Sequence, residues 1–523
     1  MFQKTVSWLI QKEKYFFIFV LVINLSFIFN AKFYPAMDGP AHLHNSYIFK
    51  QLVCGSDFLE QYYIINTIPI PNWTNHIVLS SLLAIVSPNN AEKGTHIIYI
   101  LLLAFSFRYF IKQLQPKNIA ASSLIFPFLF SFLLHLGFLN FCYSIGFMFF
   151  GLGYYLKHRN NINLKNGFIL SIIITLTYFS NVLGFVYLVF FLFAFSFVNH
   201  FCDITKFNKT IIIEFIKKYV GLFLICIIPL ICLALFYHAV SFFPSTNEYK
   251  NQELQDWIFN IRPLIVYVFN DDKEYTQVLF NLLMMSFSVA VFSFYKKEQR
   301  IKLSVSLVFL VTIFFTYILL LKIPDGSSAG MMSDRLGLML FFIFLAALVS
   351  FPIPKTVLLL IVCGAVFINF SIYHYNHKLI IKNYSEHADK IFNVSSHINE
   401  KSIVLPITMD ADWLEGHFSN YLGVNKEMVI LENYEANVGW FPLKWNKEKL
   451  PKFVIGNKQN IGNIYWVTNS DSKIEKKIDY IFLYGNTAKL EQPEYAELKA
   501  ELVSNYILDE SITDSYTKLF KLK

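Results

Sequence analysis

Eleven apolar runs, each about as long as a bilayer crossing, constrain this chain more than any other feature. A membrane-spanning helix needs roughly 20 predominantly apolar residues. The runs lie at about 15–31, 94–113, 119–137, 139–156, 166–180, 182–200, 218–240, 275–295, 301–321, 336–351 and 356–375. Composition agrees: 55% of the 523 residues are hydrophobic and 15% are charged, where soluble domains carry roughly 25% charged residues. From about Asn376 onward the sequence is polar and lysine-rich, with no further run. The expected fold is a polytopic α-helical membrane protein of about 11 transmembrane helices. A membrane domain would occupy 1–375 and a small extracytoplasmic α/β domain 376–523. In that last part short β-like runs (402–406, 428–431, 464–467, 478–483) alternate with helix-like polar stretches.

Lysine and arginine set the expected orientation, because they are retained on the cytoplasmic side. Lys4, Lys12 and Lys14 precede the first run. Lys112, Lys117, Lys157, Arg159, Lys206, Lys209, Lys217, Lys218, Lys296, Lys297 and Arg300 fall between later runs on the same side. An odd count with the N-terminus inside places the C-terminal region outside. Three external loops are then long: 32–93, 241–274 and 322–335. Residues 119–156 and 166–200 leave almost no room for loops and read as tight helical hairpins. Residues 79–87 are apolar but too short to span, and read as interfacial. The first run lacks a small-residue cleavage site and is expected to be a retained span.

The formal charge of +8 punctuates the apolar runs and forms no patch, so nucleic acid is not an expected partner. Of six cysteines, Cys142, Cys226, Cys232 and Cys363 lie in apolar runs. No CxxC pair or Cys/His zinc spacing occurs, so no cofactor is implied. None of the eleven runs holds an Asp or Glu in its interior, whereas ion-coupled transporters keep intramembrane acids. The acids collect in the external loops: Asp38, Asp57, Glu60, Glu92, Glu248, Glu253, Asp256, Asp271, Asp272, Asp325 and Asp334.

The leading site candidate follows the first run, in Tyr34-Pro35-Ala36-Met37-Asp38-Gly39-Pro40-Ala41-His42-Leu43-His44-Asn45. Asp38 before Gly39-Pro40 reads as a helix N-cap. An external carboxylate is also a candidate base, and the two roles are compatible. His42 lies one helical turn from Asp38. His42 and His44 are candidates for hydrogen bonding to substrate or to Asp38. Joint metal ligation with Asp38 is possible but weakened, because alternate residues of a helix diverge. Arg335 is either an interface anchor and partner for Asp334, or a clamp for a lipid-linked phosphate. Lys322 stands at the other end of that loop. Asp271, Asp272 and Glu248 read as a solvated cluster. Trp413, His417 and Tyr421, with the aromatic stretch 433–443, suit either sugar stacking or an ordinary core.

The layout, with its one span, long first external loop carrying an early Asp, further spans and external C-terminal region, resembles the GT-C superfamily of polytopic glycosyltransferases. The nearest branch is that of protein O-mannosyltransferases and lipid A aminoarabinose transferases. The matching local element is Asp38-Gly39-Pro40-Ala41-His42. The resemblance implies a sugar donor on a polyprenyl phosphate or diphosphate, and a glycan, lipid or protein acceptor. It also implies Asp38 as base or acceptor-positioning residue and Arg335 as a donor-phosphate contact. Many members of that branch carry two adjacent acids in the first loop, where this chain has Asp38 followed by Gly39. Two other functions fit the residues. A transporter or flippase of a lipid-linked glycan would use a polar path through His135, Asn140, Tyr178, Ser180 and Asn181. A glycan polymerase or ligase would depend on the 241–274 loop. Richness in Ile, Lys, Asn and Phe points to an AT-rich, bacterial genome and an inner-membrane location.

Overall fold

The computed structural model describes residues 11–201, 209–240, 251–295, 300–322, 331–451 and 478–523. The chain divides into two compact units. The first is residues 1–29, 97–134 and 139–380; the second is 30–96, 135–138 and 381–523. The polar C-terminal region is therefore not a unit by itself: it clusters with the first long loop.

Eight helices among the described residues are long and apolar enough to cross a membrane: Pro88–Leu114, Leu139–His158, Val182–Phe201, Ile211–Ala239, Phe269–Phe294, Val305–Lys322, Met332–Ser350 and Lys355–Asn376. That is the make-up of a polytopic helical membrane protein. Each overlaps one of the eleven apolar runs. The other three runs differ. Run 15–31 forms the 16-residue helix Glu13–Ile28, and run 166–180 the 17-residue helix Leu164–Ser180. Run 119–137 falls on a 3₁₀ stretch, Pro116–Phe128, followed by the four-residue helix Phe132–His135. Pro127 sits inside that stretch. It has no N–H to give, and its ring crowds the preceding turn of an α-helix. The expected hairpin of 119–156 thus has one regular arm only. Some spanning helices start earlier than their apolar runs, so their first turns carry Glu92, Glu214, Asp271, Asp272 and Asp334.

Several polar groups inside the first unit pair in small local sets. The Asn369 amide donates to Asn24 Oδ1 at 3.0 Å. Tyr187 and Thr316 hydroxyls lie 2.7 Å apart. Arg108 grips Glu13 with both terminal nitrogens at 2.7 and 2.8 Å. Asp272, expected in a solvated cluster, is fully buried and pairs with His377 Nε2 at 2.8 Å. A helix start packed against a histidine leaves it no water to face.

The second unit is built on a five-stranded sheet of β2 (Ser402–Met409), β3 (Met428–Ile430), β5 (Tyr480–Gly485), β6 (Tyr506–Leu508) and β7 (Thr517–Leu522), in the order β3-β2-β5-β7-β6. β2 runs parallel to β3 and β5, while β7 is antiparallel to β5 and β6. Two short strands, β1 (Tyr63–Ile65) and β4 (Leu443–Trp445), form a separate antiparallel pair. Every residue of β2 and β5 is buried, as expected of strands covered on both faces. Side chains alternate between the faces. Ile403, Leu405, Ile407, Ile481, Leu483 and Phe520 enter one core with Ile48, Leu52, Leu59 and Tyr63. Val404, Phe482, Tyr484 and Leu519 enter the other with Phe33, Leu43, Leu79, Ala388 and Ile391.

The first loop therefore supplies part of the cover for both faces. The helix Gly39–Val53 sends Ile48 and Leu52 to one core and Leu43 to the other. Residues 79–87, expected at an interface, begin instead in the helix Thr74–Leu83, whose Leu79 and Leu83 are core residues. Asn66 locks the β1–β4 edge, donating from its side chain to the carbonyls of Gly439 and Phe441, both at 3.1 Å. The strand expected at 464–467, and the loop residues 241–250 and 323–330, lie outside the described residues.

Candidate functional site

Asp38 precedes the helix Gly39–Val53 but does not cap it. A capping side chain needs extended backbone at the cap position. Asp38 has φ −85° and ψ −8°, and makes no capping hydrogen bond. Its backbone is instead held by the segment 135–138: Met37 N donates to His135 O at 2.8 Å and Asp38 N to Leu136 O at 3.2 Å. Gly137 completes that contact with φ +87°, and a Cβ there would sit 2.7 Å from Asp38 Cβ. Only glycine allows both the left-handed backbone and the close approach.

The Asp38 side chain is 5% exposed. Its Oδ1 lies 3.5 Å from His417 Nε2. The other ring nitrogen of His417, Nδ1, pairs with Glu432. Glu432 also accepts from Ser419 Oγ at 3.1 Å and from the Asn420 amide at 2.5 Å. The Tyr434 ring stacks on the His417 imidazole at 4.4 Å and fixes its plane. The result is a carboxylate–imidazole–carboxylate chain of Glu432, His417 and Asp38, with every member buried.

Burial and charge pull these groups in different directions. Burial raises the Asp38 carboxyl above the usual aspartate range, and the nearby His417 and His42 only partly offset it. Burial opposes a charge on His417, but Glu432 and then Asp38 outweigh it and push the imidazole up to about 9. At neutral pH His417 is therefore an imidazolium between two carboxyl groups.

Beside this chain lies a second group. His42 Nδ1 is 2.6 Å from Glu435 Oε1, and His76 Nε2 is 2.8 Å from Glu435 Oε2. All three side chains are buried. Burial opposes the charge on Glu435, yet the two imidazoles hold its carboxyl down at about 2. Among the described residues His42, His76 and Glu435 form a group able to hold a metal, with ligand atoms all within 4.8 Å of one another.

His44 has a different task. Its Nδ1 donates to Asn420 Oδ1 at 3.1 Å, which in turn orients the Asn420 amide toward Glu432. Burial drives the His44 imidazole down to about 4, so it is neutral. Next to it Asn45 and Asn433 exchange amide hydrogen bonds of 3.0 and 2.8 Å. The two histidines of the Asp38 loop thus diverge, as alternate positions of a helix must. His42 faces Glu435 and His44 faces Asn420.

Lys322, Asp334 and Arg335 belong to the first unit. Lys322 ends the helix Val305–Lys322 and is exposed. Asp334 is buried in the first turn of Met332–Ser350. Arg335 places its guanidinium 5.9 Å from the Phe141 ring centre. Of the aromatic candidates, Tyr421 is a core residue that donates to Glu92 Oε1 at 2.8 Å, while Trp413 is 39% exposed.

Sequence reasoning missed His76, Glu432 and Glu435. They stand far from Asp38 in the chain, and no local spacing links them to it. The only signal was the density of His, Asn, Glu and aromatic residues over 413–443. No protein-family model matches this chain, and no curated protein matches it.

Proposed function

We propose that this chain is a membrane glycosyltransferase that moves a sugar from a polyprenyl-phosphate-type donor to an acceptor hydroxyl at the extracytoplasmic face. Asp38 carries this reading. It is a buried carboxyl that stands at a helix start without capping it, and its basicity is raised by burial. A general base works best when its pKa approaches the working pH. Asp38 would accept the proton of the acceptor hydroxyl as that oxygen attacks the anomeric carbon from the face opposite the lipid phosphate. The bond from the anomeric carbon to the phosphate oxygen breaks, and the phosphate keeps the electron pair. Inversion at the anomeric carbon follows. His417, charged and backed by Glu432, would hold the Asp38 carboxyl in position through both protonation states.

The remaining parts of the reading rest on the sequence. The three short helical runs, added to the eight spanning helices, give eleven crossings with the N-terminus inside a bacterial inner membrane. The β-containing region then lies outside as an α/β domain, joined by the first loop. Arg335 and Lys322 are proposed contacts for the donor phosphate, and Asp334 a partner for them.

The test pairs two profiles, of surface glycans and of polyprenyl-linked sugars, in a deletion strain complemented with wild type or with Asp38→Asn. Asp38→Asn keeps the shape and removes the base. The reading expects normal expression, an accumulated lipid-linked sugar and a missing glycan modification. A wild-type profile from Asp38→Asn overturns it and favours the transporter or polymerase reading.

A further inference from the structure

The geometry around Glu435 points to a binding site for a first-row divalent cation of the zinc type, formed by His42 Nδ1, His76 Nε2 and the Glu435 carboxylate. This inference stands apart from the transferase reading, and a different measurement decides it.

The argument starts with where the imidazole protons sit. His42 Nε2 lies 3.0 Å from the Gly137 carbonyl oxygen. A carbonyl only accepts, so that nitrogen carries the hydrogen. His76 Nδ1 lies 3.2 Å from the Asn72 carbonyl oxygen, and the same rule applies. When the rings are neutral, the inward nitrogen of each is then a bare lone pair. These are the two nitrogens that face Glu435, at 2.6 and 2.8 Å. Two lone pairs against a carboxylate repel each other unless positive charge lies between them. One source is a proton on each ring, which gives the three groups the same net charge of +1 that a divalent cation between two neutral rings and the carboxylate gives. The other source is one cation shared by all three groups.

Directionality favours the shared cation at His42, while His76 Nε2 is also placed to hydrogen-bond Glu435 Oε2 at 2.8 Å. His42 Nδ1 and Glu435 Oε1 are in close contact, yet neither makes a properly directed hydrogen bond to any partner. Tetrahedral zinc holds nitrogen at about 2.0–2.1 Å and carboxylate oxygen at about 2.0–2.2 Å, which sets neighbouring ligands roughly 3.3 Å apart. The His42–Glu435 contact needs to open by less than about 1 Å to accept the ion.

The surroundings have the features of a built metal site. Ligating histidines ordinarily donate their outer N–H to a carbonyl or carboxylate, which fixes the tautomer; Gly137 and Asn72 supply those carbonyls. The rings of His42 and His76 stand nearly perpendicular, at 83°. Phe441 packs against both, with ring centres 5.8 and 5.9 Å away. Its apolar face keeps water from one side. Two histidines and one glutamate are a ligand set that zinc enzymes use with a fourth position left for water or substrate. The ligands come from the helix Gly39–Val53, the helix Thr74–Leu83 and the turn Glu435–Asn437. The ion would therefore tie the first loop to the C-terminal part of the same unit.

The experiment uses the full chain in detergent. The purified protein is stripped with EDTA, dialysed against metal-free buffer and titrated with Zn²⁺. Co²⁺ serves as a spectroscopic probe of the same site. The inference expects one tightly held Zn²⁺ per chain by elemental analysis and the visible absorption of low-coordinate Co²⁺. It also expects an unfolding temperature that rises with Zn²⁺ and falls with EDTA. Glu435→Gln and His76→Gln should each lower the affinity at least tenfold, while His397→Gln, at an exposed histidine, keeps it. A wild-type protein that holds no Zn²⁺ or Co²⁺ overturns the inference, and so does undiminished binding in both Glu435→Gln and His76→Gln. If either variant fails to fold, the wild-type titration still decides. None of these readouts depends on sugar transfer.

Discussion

The two units of this chain treat buried polar groups in opposite ways. In the first, buried polar side chains are mostly hydroxyls and amides, and several pair off locally: Asn24 with Asn369, Tyr187 with Thr316, and the exceptional Asp272 with His377. In the second, Asp38, His42, His44, His76, His417, Glu432 and Glu435 are all buried, and their contacts chain from one to the next. Six of the protein's thirteen histidines lie buried in this unit. A unit meant only to fold would gain from replacing such a cluster with well-packed apolar residues. Keeping it is a cost that a working site explains, because function and stability commonly trade against each other.

The largest effect expected from a single change in the second unit is catalytic. Asp38→Asn should lower sugar transfer about 10²–10⁴-fold, the usual share of a positioned base, as read by accumulation of the lipid-linked donor. Next comes the core that carries the site. Phe482 is fully buried in the central strand β5. Phe482→Ala should cost about 3–5 kcal/mol, measured by denaturant unfolding. A much smaller loss would mean that the sheet does not hold the unit together.

The same amide chemistry in each unit then gives a direct contrast. Asn45→Ala strands the Asn433 amide in a buried place and should cost about 1–3 kcal/mol. Asn369→Leu removes one interhelical hydrogen bond of the first unit and should cost about 0.6 kcal/mol. Equal losses in thermal unfolding would erase the distinction between the units.

The pH dependence of unfolding is a further test. His417 titrates near 9 when folded, above its ordinary value of 6.5. Its contribution is complete below about 6.5 and fades as pH rises through about 9. In the metal-free protein Glu435 titrates near 2 when folded, below its ordinary value of 4.5, so its contribution holds above that value and is lost as pH falls toward 2. His44 runs the other way from His417. It is held neutral down to about 4, so the unfolded chain takes up its proton first and stability falls as pH drops below about 6.5. Unfolding temperature should therefore decline on both sides of a maximum near pH 6.5. His417→Gln should flatten the alkaline side alone.

Much of the first unit was legible in the sequence, because a spanning helix announces itself by length and apolarity. The departures have local causes, such as Pro127 breaking run 119–137 into a 3₁₀ stretch. In the second unit the runs at 402–406, 428–431 and 478–483 fall on β2, β3 and β5. What the sequence hid was the partnership between the first loop and those strands. β1 pairs with β4 from across the chain, and His76 meets Glu435 although 359 positions separate them. Local patterns carry no record of such pairings. The Asp38 loop showed where the site begins, since Asp38 and His42 share one helical turn. Its other half was only partly legible: His417 stood out beside Trp413 and Tyr421, but its partnership with Glu432 and Asp38 becomes visible only when the sheet has folded.

The most direct test of Asp38 as a poised base, and not a structural cap or ion-pair strut, is the unfolding temperature of purified Asp38→Asn at neutral pH. Burial raises the Asp38 pKa, so its charge is held at a cost to the folded state. Removing that charge without changing the shape should leave the unfolding temperature equal to wild type or higher. An unfolding temperature several degrees below wild type would contradict the account, because Asp38 would then be holding the fold together.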